Sequence, residues 1–282
     1  MNLQITAPAA APGTPRKLPR WLAPALDVAT PVLGGLAFLL CWEIFVRAFE
    51  VSRFILPAPS AIFAKLVAEF PVLLKALLFT ATITVSAFIA AVVSGIAVGV
   101  LITQHRLTEK LVWPYAVALQ VTPMVAIAPL VVIWVGLDRV WLGLMVLAWI
   151  VAFFPMLSNT VVGMKSADHG LRNVFQLYRA SRWQRFRHLQ LPAALPYILA
   201  GARISSGLAV IGAVVAEFVA GSGAATGLAW VIVESGTMLD VARMFAALLM
   251  LSLFGLSIWF VMGHVQRLLL SRWHESEVSQ EG

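Results

Sequence analysis

Apolar positions in this chain come in long continuous blocks, not in alternation. Runs at about 31–49, 76–103, 111–135, 140–164, 202–220 and 241–263 each approach or exceed the roughly 20 residues that carry a helix across ~30 Å of hydrocarbon. Backbone groups in lipid must be satisfied within the protein, so helices or a closed barrel are the options, and unbroken apolar runs select helices. The expected fold class is an all-α polytopic membrane protein with about six transmembrane helices.

The interruptions are as informative as the runs. Leu56-Pro57-Ala58-Pro59-Ser60 stops the first helix, and Ser60 is placed to cap a short one from Ala61. There Ile62, Leu66, Val67 and Phe70 stand at helical spacing against Lys65 and Glu69, which predicts an amphipathic helix on the membrane surface. Ser86, Ser94, Gly95 and Gly99 in the second run predict close helix contacts. Pro114, Pro123 and Pro129 predict irregular backbone in the third run, and Pro155 interrupts the fourth. The Gly-rich GSGAATG, 221–227, ends the fifth run, and 228–239 should re-enter or lie on the surface.

The longest strongly polar interval is Lys165–Gly201, with six cations: Lys165, Arg172, Arg179, Arg182, Arg185 and Arg187. From Asp168 onward, Leu171, Val174, Phe175 and Tyr178 share one helix face. Ser181-Arg182-Trp183-Gln184 has the form of a capping box and starts a second helix, continued by Phe186 and Leu189 and limited by Pro192 and Pro196. Two short helices joined at Arg179–Ser181 and anchored between spans can transmit a push.

Charge then orients the chain. The net charge is +7, and with the N-terminus inside, 14 of the 20 Lys and Arg fall in inner segments, Arg203 among them. The positive-inside bias therefore predicts both termini and the insert in the cytoplasm. Residues 1–29 read as a flexible tail, 30–75 as the first span plus the outer amphipathic segment, 76–263 as the core with its loop at 165–201, and 264–282 as a second tail. The first run is too long for a cleaved leader. Cys41 is the lone cysteine and reads as packing, the five His show no metal spacing, and no metal site is expected. Glu43 reads as a residue near the outer interface, and Trp134, Trp141 and Trp149 as interface anchors or packing. No basic residue sits securely inside the spans on this reading, which disfavours an anion held deep in the subunit.

At this point the sequence resembles the ABC importer permeases. Their cytoplasmic "EAA" loop is matched by Arg179-Ala180-Ser181-Arg182-Trp183-Gln184-Arg185-Phe186 and by Leu189 before Leu191-Pro192. Leu-Pro-x-Pro-Ser at 56–60, T-P-x-x-A-x-x-P-L at 122–130, Ile133-Trp134-Val135-Gly136, Pro196…Gly201-x-Arg203 and Ala216-Glu217-Phe218 also match, so the likeness covers roughly 54–272. It is greatest to the branch serving nitrate, sulfonates, taurine and pyrimidine or riboflavin-type nutrients, and Ala209–Phe218 leans to the last two. There are departures: the family's Glu-Ala-Ala falls on Asn173, Val174 and Phe175, and its turn Gly on Arg179.

The resemblance implies a type I importer permease in a prokaryotic cytoplasmic (inner) membrane, paired with a second copy as a homodimer. Its implied partners are a cytoplasmic ABC ATPase, which would hold ATP and Mg, and an extracytoplasmic solute-binding protein. Coupling to the ATPase would fall on Asn173, Val174, Phe175, Tyr178, Arg179, Ala180, Ser181, Arg182, Trp183, Phe186, Leu191 and Pro192. Thr122, Pro123, Ser158, Asn159, Glu217, Gly221, Gly223 and Gly227 are candidates for the pathway or a gate, although a supporting role suits Glu217 as well and a simple turn suits the glycines. The chain lacks G-x-x-x-x-G-K-[ST], so it is not expected to be an enzyme. An autonomous carrier or channel is the alternative; it would want internal repeats, and none is clear.

Overall fold

The computed structural model describes residues 23–220 and 226–270, all helix and connecting turns. Five helices are long and apolar enough to span a bilayer, and a bent pair brings the count to as many as six. The first helix, α1, is Ala23–Ala48, so helix begins inside the stretch expected to be a tail. It lies largely outside the bundle, with Trp42 meeting Phe245 edge-on at 5.9 Å between ring centroids. Cys41 is exposed on α1, not packed: a small apolar side chain in a peripheral helix faces outward at no penalty where the surroundings are hydrocarbon.

Helix α2 is Pro59–Ala68, and here the local reading of its start fails. Ser60 is inside the helix; its backbone N–H donates to Glu43 Oε2 at 3.0 Å and its hydroxyl to Glu43 Oε1 at 2.7 Å. The free N–H groups of a helix start donate to any nearby carboxylate, and α1 brings Glu43 there. Ile62 is buried with Leu73, Leu228 and Met250, while Phe63 and Val67 are exposed, so part of the α2 apolar face packs on protein.

Helix α3, Phe70–Gln104, starts earlier than expected and at 35 residues is about 52 Å long at 1.5 Å per residue. The third run is broken: α4, Arg106–Val121, and α5, Met124–Val135, meet at 102° across Thr122-Pro123. Only Pro123 makes the break, while Pro114 and Pro129 lie within helices. After Gly136 (φ 96°) and a turn of 3-10 helix, α6 runs Val140–Lys165 without interruption. Pro155 does not stop it because neighbours serve the carbonyls around the missing N–H. Ser205 donates to Ala152 O at 2.8 Å, and Asn159 Nδ2 to Pro155 O at 2.8 Å.

The insert follows: α7, His169–Leu177, and α8, Arg182–Arg185. Pro192 and Pro196 do not end the second helix, since a π-helical stretch, Phe186–Gln190, carries it into α9, Leu191–Ala220. Then come α10, Leu228–Thr237, and α11, Val241–Leu270. The centre of the bundle is α6 between α3 and α9. Gly95 and Gly99 bring α3 against Met156 and Thr160, as the small-residue pattern predicted, and Trp149 Nε1 donates to Ser94 Oγ at 3.0 Å. Gly201 and Gly212 do the same for α9 against Asn159 and Ala148. At the end remote from the insert, Lys65 pairs with Asp240 (2.7 Å) and Glu69 (2.8 Å), and Arg243 pairs with Glu69 (2.8 Å) and Glu234 (3.1 Å). Asp240 first, then Glu69, holds the Lys65 ammonium above its usual range.

Candidate functional site

The insert begins where α6 ends. Arg172 Nη2 donates to Lys165 O at 2.6 Å, and Lys165 Nζ reaches Glu109 Oε1 on α4 at 2.5 Å. Ser166 Oγ donates to Gly163 O at 2.8 Å and to Ala193 O at 3.2 Å. The root of the insert, at Lys165 and Ser166, is thus tied to α4 and α9, and Arg172 of α7 to the end of α6. Asp168 caps α7 by accepting from Leu171 N at 3.0 Å; the Leu171 and Gly170 N–H groups hold its carboxyl below the usual range.

Between the two helices the backbone closes in a Schellman motif. Ala180 N donates to Phe175 O at 2.9 Å and Arg179 N to Gln176 O at 3.0 Å, with Arg179 in the left-handed region at φ 52°. The geometry at Arg179 is the one a glycine adopts without penalty, and here a side chain is carried through it. Arg179→Gly is expected to stabilise the turn by about 1 kcal/mol. A thermal midpoint no higher than the parent's would count against that assignment.

The second helix opens with the predicted capping box: Gln184 N donates to Ser181 Oγ at 3.2 Å, and Ser181 N to Gln184 Oε1 at 2.8 Å. Trp183 then stacks on Phe186 with 5.5 Å between ring centroids. The result is a fixed pair of short helices with an uncovered apolar surface. Tyr178 is 83% exposed, Leu177 82% and Trp183 64%, with Leu171 and Val174 exposed beside them. Val174, Phe175, Tyr178, Ala180, Gln184 and His188 line a hollow of about 440 Å³ between the helices. The sequence reading missed Leu177, which lies off the stripe through Leu171 and Phe175 but beside Tyr178. Of the other expected coupling residues, Asn173, Arg179, Ser181 and Arg182 are exposed, Ala180 and Phe186 are half-buried, and Leu191 and Pro192 sit at the base, at the start of α9.

The candidate pathway residues do not form one cluster. Thr122 Oγ1 donates to its own helix at Ala118 O (2.7 Å), beside Pro123 at the break between α4 and α5. Ser158 and Asn159 are half-buried on α6, with Asn159 turned to its own backbone and packed against Gly201. Glu217 is fully buried and accepts from Ala229 N at 3.0 Å, while Thr80 Oγ1 accepts from Leu228 N at 2.9 Å. Together they satisfy the start of α10, the supporting role weighed for Glu217. Its carboxyl lies on Gly227, leaving no room there for a side chain. Gly221 and Gly223 lie outside the described residues. Arg203 corrects the view that the spans hold no cation: it stands 12 residues beyond Leu191 within α9, its guanidinium 4.6 Å from the Trp259 ring centroid on α11.

Comparison with known proteins accounts for this architecture. The profile of the binding-protein-dependent transport system inner membrane component family matches residues 91–271. The riboflavin transport system permease protein RibX of Chloroflexus aurantiacus is 32% identical over 93% of this chain and 95% of its own length. The formylaminopyrimidine transport permease protein ThiX of Halalkalibacterium halodurans is 31% identical over 88% of this chain and 96% of its own. The bicarbonate transport system permease protein CmpB of Synechococcus elongatus is 28% identical over 73% and 77%. In fold, the chain is similar to a subunit of the MetNI methionine ABC transporter in an inward-facing conformation, with a TM-score of 0.60, 19% identity, and 71% of this chain and 97% of that one covered. The chain belongs to the binding-protein-dependent transport system inner membrane components, and within them to the ABC importer permeases of the nitrate and sulfonate branch.

Proposed function

We propose that this permease works as one of two identical subunits around a shared solute path, and that α7 and α8 seat in a separate cytoplasmic ATPase. The observation that carries the reading is the exposed Leu177, Tyr178 and Trp183 surface on two capped helices whose root is tied to α4, α6 and α9. A large apolar patch of this kind, rimmed by Arg179, Arg182 and Arg185, is the usual signature of a protein partner. ATP and Mg belong to that partner, and its closure moves the pair of helices as a unit. The insert and both chain termini then lie on the cytoplasmic side of the inner membrane, and a solute-binding protein docks on the opposite side. The transporting core, expected at 76–263, runs from α3 through α11, past His264 where a tail was expected, and follows the first span. Thr122, Pro123, Ser158 and Asn159 lie toward the path.

The solute class is that of flat nitrogen heterocycles. Supporting this are the relatives named for riboflavin and formylaminopyrimidine, which align over nearly the whole chain. The test is uptake by proteoliposomes holding the permease and its ATPase, with the binding protein outside. Uptake of a pyrimidine or flavin should stop when internal ATP is depleted while the proton gradient is held. Uptake that persists without ATP would replace the importer mechanism with that of an autonomous carrier.

A further inference from the structure

Arg203 is a guanidinium within α9 that no carboxylate meets among the described residues. Among the described residues the carboxylates at the insert end are engaged elsewhere, Glu109 by Lys165 and Asp168 by the Leu171 N–H. The side chain lies in the seam between α9 and α11, over Gly263 (where a Cβ would stand 3.6 Å from Nη2) and beside the Trp259 ring. One face of the guanidinium is covered by the indole; the N–H groups along its edge still need acceptors. An unpaired cation bordering hydrocarbon is expensive; Gln266, three residues beyond Gly263 on α11, has a buried Oε1 without a partner among the described residues, but one carbonyl oxygen cannot serve the whole edge of a guanidinium.

Depth and surroundings indicate which acceptor. Helix α11 starts at Val241 beside the charged cluster of Lys65, Asp240, Arg243 and Glu234, which marks one boundary of a ~30 Å hydrocarbon core. Gly263 is 22 residues, or about 33 Å, from the start of α11 at Val241, which puts the seam close to the opposite boundary with the headgroups. Arg267 is one turn nearer that boundary on the same face and is exposed. Toward the membrane centre the face continues as Phe260 and Leu256, both exposed. Two cations at headgroup height, an indole beside them and an apolar strip below match a charged headgroup with its acyl chains.

We infer that the α9–α11 seam at the insert end binds an anionic phospholipid, its phosphate held by Arg203 and Arg267 and its chains lying along Phe260 and Leu256. The inference rests on the bilayer-spanning reading of the chain and is independent of the ATPase contact.

The test uses the whole protein in nanodiscs of phosphatidylcholine alone or with phosphatidylglycerol, read by native mass spectrometry and thermal unfolding. Phosphatidylglycerol should be retained through delipidation and should raise the unfolding midpoint. Arg203→Gln should abolish both effects, and Arg267→Gln should weaken retention by about fivefold, the contribution of one cation at an anionic surface. Arg139→Gln, at the opposite end, should change neither. If Arg203→Gln lowers expression, Arg203→Lys and Arg267→Gln still decide the matter, since both should keep a measurable but reduced preference. Retention unchanged in Arg203→Gln and Arg267→Gln would overturn the inference. So would displacement of the lipid by millimolar inorganic phosphate, which would assign the seam to a soluble oxyanion. Loss of a dimer with lipid retention intact would assign Arg203 to the second copy and overturn it too.

Discussion

Replacing Leu177, Tyr178 and Trp183 together by serine is expected to leave the permease folded and to abolish its retention of the ATPase. The two halves of that result come from one fact: these side chains stand out from the protomer, so their removal leaves almost no cavity behind. Surface substitutions of this kind usually change stability by no more than about 0.5 kcal/mol. Trp183 is the partial exception, because it stacks on Phe186, and its removal alone should show a small loss. In an interface, by contrast, a buried aromatic anchor is commonly worth 2 kcal/mol or more, a loss of about 30-fold in affinity for each. Three such losses would take a nanomolar complex beyond detection. Two measurements decide it, a thermal midpoint within a degree or two of the parent and co-purification of the ATPase with each variant. Undiminished binding by the folded triple variant would remove α7 and α8 from the interface, and with them the proposed route of coupling.

Separating that route from the docking itself depends on the tether. Lys165 joins the insert to Glu109 on α4, one half of the broken span, at a site both exposed enough to exchange charges and short enough to transmit motion. As an exposed pair it adds little to stability. Its interest lies in linking the insert to the most sharply bent element of the fold.

The parts of this structure that were legible in the sequence are those whose causes are local. The capping box at Ser181–Gln184 needs only residues three apart, and the face through Leu171, Val174 and Phe175 needs only helical spacing. Both stand as read. The turn at Arg179 was half legible: the family's glycine falls on this position, and the chain adopts the left-handed conformation there with an arginine. Where the cause is distant, local reading fails. Ser60 looks like a cap because nothing nearby shows that Glu43, 17 residues earlier, will serve the start of α2. Pro155 looks like a break because Ser205, on another helix, is not visible to it. Pro192 and Pro196 mislead for another reason: the helix passes through them by way of the π-helical stretch at Phe186–Gln190, which ends just before Pro192, while Pro196 stands inside α9. Arg203 was assigned to the inner loops by charge counting, which cannot distinguish a loop arginine from one that lies twelve residues into a helix against Trp259.

Gly227→Ala is expected to be among the most damaging single substitutions in the chain, by about 2–4 kcal/mol, although it adds one methyl group. The backbone is not the reason, since Gly227 has φ −80°, where any residue is comfortable. The reason is Glu217, whose carboxyl lies where the methyl would go. That carboxyl has nowhere to retreat. It is fully buried, and moving it takes the acceptor away from Ala229 N–H at the start of α10. Glu217→Ala should be harmful for the complementary reason, since it leaves the same N–H without a partner and opens a cavity. Glu217→Gln retains an acceptor of the same shape and should be much milder. The decisive measurement is the double variant. With the carboxyl gone the alanine methyl has space, so Gly227→Ala should add little to Glu217→Ala, and the two effects should fall well short of their sum. Additive losses in folded yield and unfolding midpoint would show that the two residues act apart. The cap would then be incidental, and the role of Glu217 would have to be sought in the solute path.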